Sequence, residues 1–301
     1  MPNNRSNLEK DYQERLAEGI STYQASRAIK LRNGHIKLAY SKVLECAARR
    51  LGIGIKRRAT LFSGRELTVT YPEPTSLAVS RYGFYEEGLT KMVLEYLKPG
   101  MIFLDVGAHI GYFTLLASWR VGESGEVHSF EPTPSTFEVL RSNAGQINNV
   151  HLNQTAVAAG AGIATLHDYG PAYSGYNSMY RARMTEDELS RVKVTEFQAP
   201  TVSIDEYLEQ NNLTPNFVKI DAESAEFDIL KGMERTINNC RPIISVEVGD
   251  MDIEGVIPCR ELVEYLVDKG YCAHGFDGEE IVKHQTRERY EYDNILFLPE
   301  S

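Results

Sequence analysis

Residues 103–116 read FLDVGAHIGYFTLL, and this run decides the fold. A short apolar strand leads into Asp105, a glycine turn follows at Gly107, and Gly111 opens a helix through Phe113, Leu115 and Leu116. Glycine at 107 permits a tight turn that a Cβ would obstruct. Glycine at 111 lets a ligand or the sheet come close to the helix start. About 20 residues further on, a second strand ends at Glu131, where an acid can accept both hydroxyls of a ribose. Strand, turn, helix and strand-end acid predict a Rossmann-like α/β domain.

The pattern extends outward from this run. After Lys98, short apolar stretches alternate with helical periods, as in a parallel sheet covered by helices on both faces. The predicted strands are MIFLDV, EVHSFE, VHLNQTAV, NFVKID and PIISVEV, with YCAHGF and NILFLP after them. Helices are expected to begin near Ile110, Pro134, Ile204, Ala225 and Pro258, and Gly270 is expected to end the last one. Residues 160–200 break the alternation with Tyr169, Tyr173, Tyr176 and Tyr180, interspersed with Gly170, Pro171 and Gly175, and then TEDELSRVK. An insertion of this kind either shapes an acceptor pocket or forms a surface hairpin whose tyrosines pack locally.

Residues 1–80 form a helical N-terminal extension to a main domain of residues 81–301. Tyr40, Val43, Leu44, Ala47 and Leu51 recur at helical spacing and predict one amphipathic face. Leu8, Tyr12, Leu16, Ile20 and Tyr23 predict another, more weakly. ELTVTY at 66–71 alternates like a strand and ends before Pro72 and Pro74. Covering the main domain, forming a homodimer and closing over a substrate are all open roles for the extension.

Composition narrows the classes. With 42% hydrophobic and 25% charged residues, the 301-residue chain has the balance of a soluble globular protein. No apolar run reaches the ~18 residues of a membrane span, and the polar N-terminus lacks the apolar core of a secretory signal. Cys46, Cys240, Cys259 and Cys272 are scattered without CxxC spacing, which predicts reduced thiols in a cytoplasmic protein. A net charge of -10 argues against nucleic acid as a partner. The basic cluster Arg49, Arg50, Lys56, Arg57 and Arg58 is expected to be a solvated face. No membrane partner is expected.

The turn itself chooses the cofactor. A dinucleotide fingerprint carries a middle glycine, whereas here the turn is Gly107-Ala108-His109-Ile110-Gly111. Asp105 just before it disfavours a pyrophosphate and favours a ligand with an ammonium and a sulfonium group. S-adenosylmethionine has both, and a nicotinamide cofactor is the lesser reading. Contacts are expected from Asp105, Gly107, His109 and Gly111, from Glu131 to the ribose, and from Ala156 and Val157 to the adenine. Asn143 is read as a helix-end cap.

These residues resemble the FkbM-type methyltransferases. The resemblance rests on FLDVGAHIGYFTL, SFEPTPSTFEVLRSN, KIDAESAEFDILKG, the glutamate of IISVEV and the closing NILFLP, and it covers roughly residues 80–300. It implies a seven-stranded class I methyltransferase sheet, mostly parallel with an antiparallel last strand. It also implies O-methylation of a small-molecule hydroxyl acceptor such as a sugar, polyketide or other secondary metabolite. His109, Ala222 and Ser224 stand where the family pattern usually has asparagine, valine and glycine. The Ser224 change could alter the turn after the fourth strand.

Ligands of open α/β sheets bind beyond the carboxyl ends of the strands, which puts Asp105, Glu131, Asp221, Glu223 and Glu247 on one rim. Asp221 is the leading candidate for the base that takes the acceptor proton; Glu223 is second, and Glu247 would orient or share the proton. Mg²⁺ held by Asp221 and a neighbour is the lesser alternative, because KIDAES offers no clear set of oxygen ligands. Glu226 is read as a first-turn carboxylate and Asp205 as a helix-start cap. In RYGFYEEGLTK, either Tyr85, Glu87 and Thr90 fold over the cofactor's amino-acid end, or Tyr82 and Phe84 are buried as ordinary core. Two other classes stay open: a nicotinamide-dependent oxidoreductase, and a catalytically silent cofactor-binding protein whose N-terminal helices meet a partner.

Overall fold

The computed structural model describes residues 3–25, 35–182, 184–190, 192–277 and 280–300. They divide into two compact units, residues 1–90 with 171–175, and residues 91–170 with 176–301.

The first unit contains α1 (Asn3–Gln24), α2 (His35–Leu51), the hairpin β1 (Ile55–Thr60) and β2 (Glu66–Tyr71), α3 (Pro74–Tyr82) and the start of α4 (Glu87–Tyr96). The alternation of ELTVTY buries Leu67, Val69 and Tyr71 on one face of the hairpin. Pro74 opens α3 as well as ending the preceding stretch. The Glu73 carboxylate caps that helix by accepting the Thr75 and Ser76 N–H groups at 2.6 Å each. On α1, Tyr12 and Leu16 are buried, Ile20 is half-buried and Tyr23 is exposed, while the side chain of Leu8 lies outside the described residues.

The inward face of α2 differs from the one its apolar spacing predicts. Tyr40, Val43 and Leu51 are exposed, while Ser41, Leu44, Glu45 and Ala48 are buried. A polar network sets this rotation. Arg81 of α3 donates to Ser41 Oγ at 2.9 Å and to Glu45 Oε2 at 2.7 Å, so burying those groups incurs no unsatisfied polar cost. The basic residues 49, 50 and 56–58 are solvated; Arg57 donates to the Tyr40 hydroxyl and Arg58 pairs with Glu66.

The second unit is built on β3 (Ile102–Val106), α5 (Tyr112–Val121), β4 (Glu126–Phe130), α6 (Pro134–Ala144) and β5 (Val150–Asn153). Next come β6 (Ala156–Val157), β7 (Gly162–Asp168), the short α7 (Glu186–Leu189), β8 (Thr195–Val202) and α8 (Ile204–Asn211). The chain closes through β9 (Phe217–Ile220), α9 (Glu226–Lys231), β10 (Ile243–Val248), α10 (Cys259–Asp268), β11 (Tyr271–Asp277), β12 (Glu280–Lys283) and β13 (Asp293–Pro299). Pro134 sits at the start of α6, and Ser203 with Glu206 forms a reciprocal capping box at the start of α8.

Eight strands form the main sheet in the order β12-β11-β13-β10-β9-β3-β4-β5. Strands β5, β4, β3, β9 and β10 are parallel, and β13 runs antiparallel between β10 and β11. The eighth strand, β12, pairs with β11 at the edge, and its four residues are too short and polar for periodicity to reveal. All four residues of β9 are buried, as expected for a central strand covered on both faces. Strand order reverses between β3 and β9, so the carboxyl ends of those two strands open the crevice where such sheets hold ligands.

VHLNQTAV does not remain one strand. Residues 150–153 pair with β4, while Ala156 and Val157 leave to join a second sheet of order β6-β8-β7. This smaller sheet takes the two ends of the 160–200 stretch, with β7 and β8 antiparallel from Gly162↔Thr201 to Asp168↔Thr195. Of TEDELSRVK, Arg191 lies outside the described residues. Among the described residues no helix is long and apolar enough to cross a membrane.

Candidate active site

The turn after β3 is held from several sides. Gly107 has φ +72°, and a Cβ there would stand 1.7 Å from the carbonyl oxygen of Asp221. The N–H groups of Gly107 and Ala108 both donate to Phe130 O, at 3.1 and 2.9 Å. His109 is left-handed at φ +50°, and its N–H donates to Glu131 Oε2 at 3.1 Å. A Cβ on Gly111, φ +92°, would stand 2.7 Å from Leu140 Cδ1, so this glycine serves helix packing as well as the turn. Asn143 donates to the carbonyl of Ile110 at 2.8 Å, fixing the turn from α6.

Glu131, just beyond β4, accepts the His109 N–H on one oxygen and the Thr133 N–H on the other, at 2.9 Å for the latter. Its carboxylate is therefore fixed in place with lone pairs left to accept further hydroxyls. Burial pushes this carboxyl above the ordinary carboxylate range, against the opposing influence of His109 and the two backbone donors. Asp105 is fully buried. It accepts the Thr114 hydroxyl at 2.7 Å and lies 3.3 Å from the Lys219 ammonium, holding the turn from beneath.

Lys219 joins the turn to the acidic rim. Its side chain is 2% exposed, donates to Gly107 O at 3.0 Å and pairs with Asp221 at 3.2 Å. The next residues are left-handed, with Glu223 at φ +49° and Ser224 at φ +84°. Glu226 is buried, and Oε1 accepts the N–H groups of Ala222 (3.1 Å) and Ser224 (3.2 Å), so this carboxylate shapes the loop as well as opening α9. The carboxylate oxygens of Asp221, Glu223 and Glu247 converge, each within 4.8 Å of the others. Glu247 is 2% exposed on β10.

The insertion reaches this loop. Ser178 donates to the carbonyl of Glu223, and Tyr180 donates to Asp228 Oδ2 at 2.5 Å. Burial, then Asp228, pushes the Tyr180 phenol up to about 12. Tyr169 is buried and accepts the N–H of Ala182. A cavity of about 410 Å³ lies between the insertion and the loop after β10, lined by Arg181, Met184, Met251, Asp252, Ile253 and Glu254.

The structure thus brings Gly107, His109, Gly111 and Glu131 together, and beside them Asp221, Glu223 and Glu247. Ala156 and Val157 are buried in β6, paired with Thr201 and Val202 of β8. Glu87 belongs to the first unit, at the start of α4, and accepts a hydrogen bond from Gln24. Also in that unit, Phe84 is buried, and Thr90 donates to Tyr85 O at 2.6 Å. Asp205 does not cap its own helix, a task left to Ser203. It accepts the Thr236 hydroxyl and the N–H groups of Arg235 and Thr236.

Lys219 and Ser178 were not singled out from the sequence. A lysine inside the apolar strand FVKI is the available signal, since a buried ammonium requires carboxylate partners. Ser178 carries no sequence signal. Chemically, a preset carboxylate beside a glycine turn can accept hydroxyls of a nucleoside-bearing ligand, and three carboxylates at the neighbouring strand ends can take a proton from a substrate next to it. The same three carboxylates form an all-oxygen set of the type Mg²⁺ accepts.

The largely parallel sheet with acids along one rim defines an α/β protein of the open-sheet class, and comparison with known proteins narrows the class. Residues 105–275 match the Methyltransferase FkbM domain, and the chain belongs to that family. The chain is 30% identical to the 31-O-demethyl-FK506 methyltransferase FkbM of Streptomyces tacrolimicus, over 46% of this chain and 61% of that one. It is 25% identical to the hexuronic acid methyltransferase AglP of Haloferax volcanii, over 53% of this chain and 61% of that one. It therefore spans about three fifths of the length of these curated relatives. A crystal structure of Methyltransferase FkbM from Methylobacillus flagellatus KT aligns at 14% identity and a TM-score of 0.41, covering 73% of this chain and 52% of that one.

Proposed function

We propose that the chain is an S-adenosylmethionine-dependent O-methyltransferase acting on a hydroxyl of a small metabolite of the sugar or polyketide class. The observation that carries this reading is the convergence of Asp221, Glu223 and Glu247 beside a glycine turn that packs on the Asp221 backbone. Family membership supports the reaction class, and the names of the two relatives support the acceptor class.

The residues fit the cofactor. Glu131 presents a carboxylate preset by two backbone N–H groups beside the glycine turn 107–111. When bound, S-adenosylmethionine supplies an activated methyl group on a sulfonium. Glu131 would hold the ribose hydroxyls, the 107–111 backbone would border the amino-acid end, and Ala156 with Val157 would border the adenine. Asp221, oriented by Lys219, takes the proton from the acceptor hydroxyl at its carboxylate oxygen, with Glu223 and Glu247 orienting the acceptor or sharing that proton. The cavity lined by Met184, Met251 and Ile253 with Arg181, Asp252 and Glu254 has a volume suited to a small ligand and would offer mixed apolar and charged contacts to the rest of the acceptor.

The test is calorimetric titration with S-adenosylhomocysteine, NADH as control, on wild type and Glu131→Ala. This is followed by a radiolabelled methyl-transfer screen of polyketide and sugar acceptors. Micromolar binding that the variant loses supports the cofactor assignment, and no binding, or preference for NADH, refutes it. A labelled product whose methyl group resides on nitrogen or carbon would overturn the choice of hydroxyl acceptor while leaving the cofactor in place.

A further inference from the structure

On the edge of the main sheet, three ligating side chains meet that the methyl-transfer reading does not use. His128 on β4 lies opposite His151 on β5 in parallel register, and strand alternation puts Glu126 on the same face as His128. Glu126 Oε2 is 3.1 Å from His128 Nε2 and 3.6 Å from His151 Nε2. The imidazole rings are stacked with centroids 4.5 Å apart. One ligating atom from each of the three residues lies within 4.8 Å of the others.

We propose that Glu126, His128 and His151 form a binding site for zinc or a similar borderline divalent ion, with a structural role. Two imidazoles and one carboxylate are a recurrent zinc set that leaves a fourth position for water. Metal–ligand bonds of about 2.0–2.1 Å make the edges of a zinc tetrahedron roughly 3.3 Å long, and both measured carboxylate–imidazole separations bracket that length. The nitrogen ligands disfavour Mg²⁺ and Ca²⁺, which take oxygen.

The supporting groups are also in place. The other nitrogen of His128, Nδ1, lies 2.8 Å from the Tyr207 hydroxyl, and that hydroxyl accepts from Asn153 at 3.3 Å. Without an ion, Nε2–H donates to Glu126; with one bound, Nδ1 would donate to Tyr207 and free the Nε2 lone pair for the metal, the outer-shell arrangement that fixes a ligating histidine. His128 is buried, whereas Glu126 and His151 are 45% and 49% exposed, so an ion has a path from solvent. The two rings are within 14° of parallel, so one must turn for both lone pairs to converge, and His151 on the edge strand has the room to do so.

His128 sits in the middle of β4, and Glu131 follows it three residues later, about 10 Å further along the strand and on the opposite face by alternation. An ion there does not touch the reaction. It fastens β4 to the edge strand β5 and, through Tyr207, to α8, and it stabilises the folded chain in proportion to its occupancy.

The experiment uses the full chain stripped with EDTA and titrated with ZnCl₂, as wild type, His151→Ala and Glu126→Gln, followed by calorimetry and thermal melting. One equivalent of zinc should bind wild type and raise Tm, and affinity should fall at least about 10-fold in each variant. Co²⁺ should give visible bands of four-coordinate nitrogen and oxygen ligation in wild type, absent in His151→Ala. Because His151 is half-exposed, its loss leaves the fold intact, which circular dichroism would confirm. Failure of wild type to bind zinc, or equal zinc affinity and cobalt spectra in wild type and His151→Ala, overturns the proposal.

Discussion

A Cβ on Gly107 would stand 1.7 Å from the carbonyl oxygen of Asp221, so the glycine turn and the acidic loop share one close backbone contact. The contact explains the glycine more directly than ligand approach does. Gly107→Ala adds a clash with backbone to a left-handed φ, and no flexible neighbour can absorb it. The expected cost is about 3 kcal/mol or more of stability by urea unfolding. S-adenosylhomocysteine affinity and methyl transfer should fall together. A variant of wild-type stability would show that the two loops are not in contact.

Lys219 neutralises Asp105 and Asp221 at once, at 3.3 and 3.2 Å, inside a fully buried strand. Lys219→Met keeps the apolar stem and removes the charge, leaving Asp105 without its ion-pair partner. Breaking a buried pair in this way costs roughly 3–5 kcal/mol. Double substitution with Asp105→Asn should recover part of that loss. Simple additivity of the two losses would mean that the pair does not interact.

The buried strands were legible because a sheet covered on both faces leaves continuous apolar runs, as in FLDV, FVKI and IISVEV. The placement of Glu131, Asp221 and Glu247 along one rim was legible because each falls at the carboxyl end of such a strand. Polar burial was not legible. Periodicity assigned Tyr40, Val43 and Leu51 to an inward face, but the helix turns Ser41 and Glu45 inward to meet Arg81. Strands β7 and β8 escaped for a related reason. Leu166 and Ala199 are their only fully buried hydrophobic side chains, which leaves no alternation to read. The role of Asp105 likewise depends on Lys219, a partner 114 residues away that spacing does not reveal.

Ser224 occupies a left-handed position at φ +84°, where the family pattern has glycine. The conformation survives because Glu226 accepts the Ser224 N–H and Ser178 holds the preceding carbonyl. Ser224→Gly should stabilise the chain by about 1 kcal/mol, the order of the left-handed penalty for an L side chain. Denaturant midpoints compared at equal m-values measure it, and a destabilised variant would show that the serine hydroxyl outweighs the backbone strain.

Tyr180 ties the insertion to α9 through Asp228, and with its phenol near 12 it stays a donor across the working range. Tyr180→Phe removes the bond but keeps the ring, so acceptor KM should rise several-fold while S-adenosylhomocysteine affinity holds. Equal effects on both ligands would detach the insertion from acceptor selection.

Glu131 gives the clearest pH signature. Its folded pKa is raised by burial, so between the unfolded value, about 4.3, and the folded one, the native state binds more protons than the unfolded state. Stability from this group is therefore greatest at low pH, falls as pH rises through that window, and is flat above it. Cofactor binding should run the other way, because ribose hydroxyls donate to the ionised carboxylate. S-adenosylhomocysteine affinity should rise with pH through the Glu131 transition, with proton release visible as a dependence of calorimetric enthalpy on buffer. In Glu131→Gln both slopes should vanish, and affinity should drop about 10- to 100-fold, the loss of one or two hydrogen bonds to a charged acceptor. An unchanged pH dependence of binding in that variant would move the ribose contact to another residue.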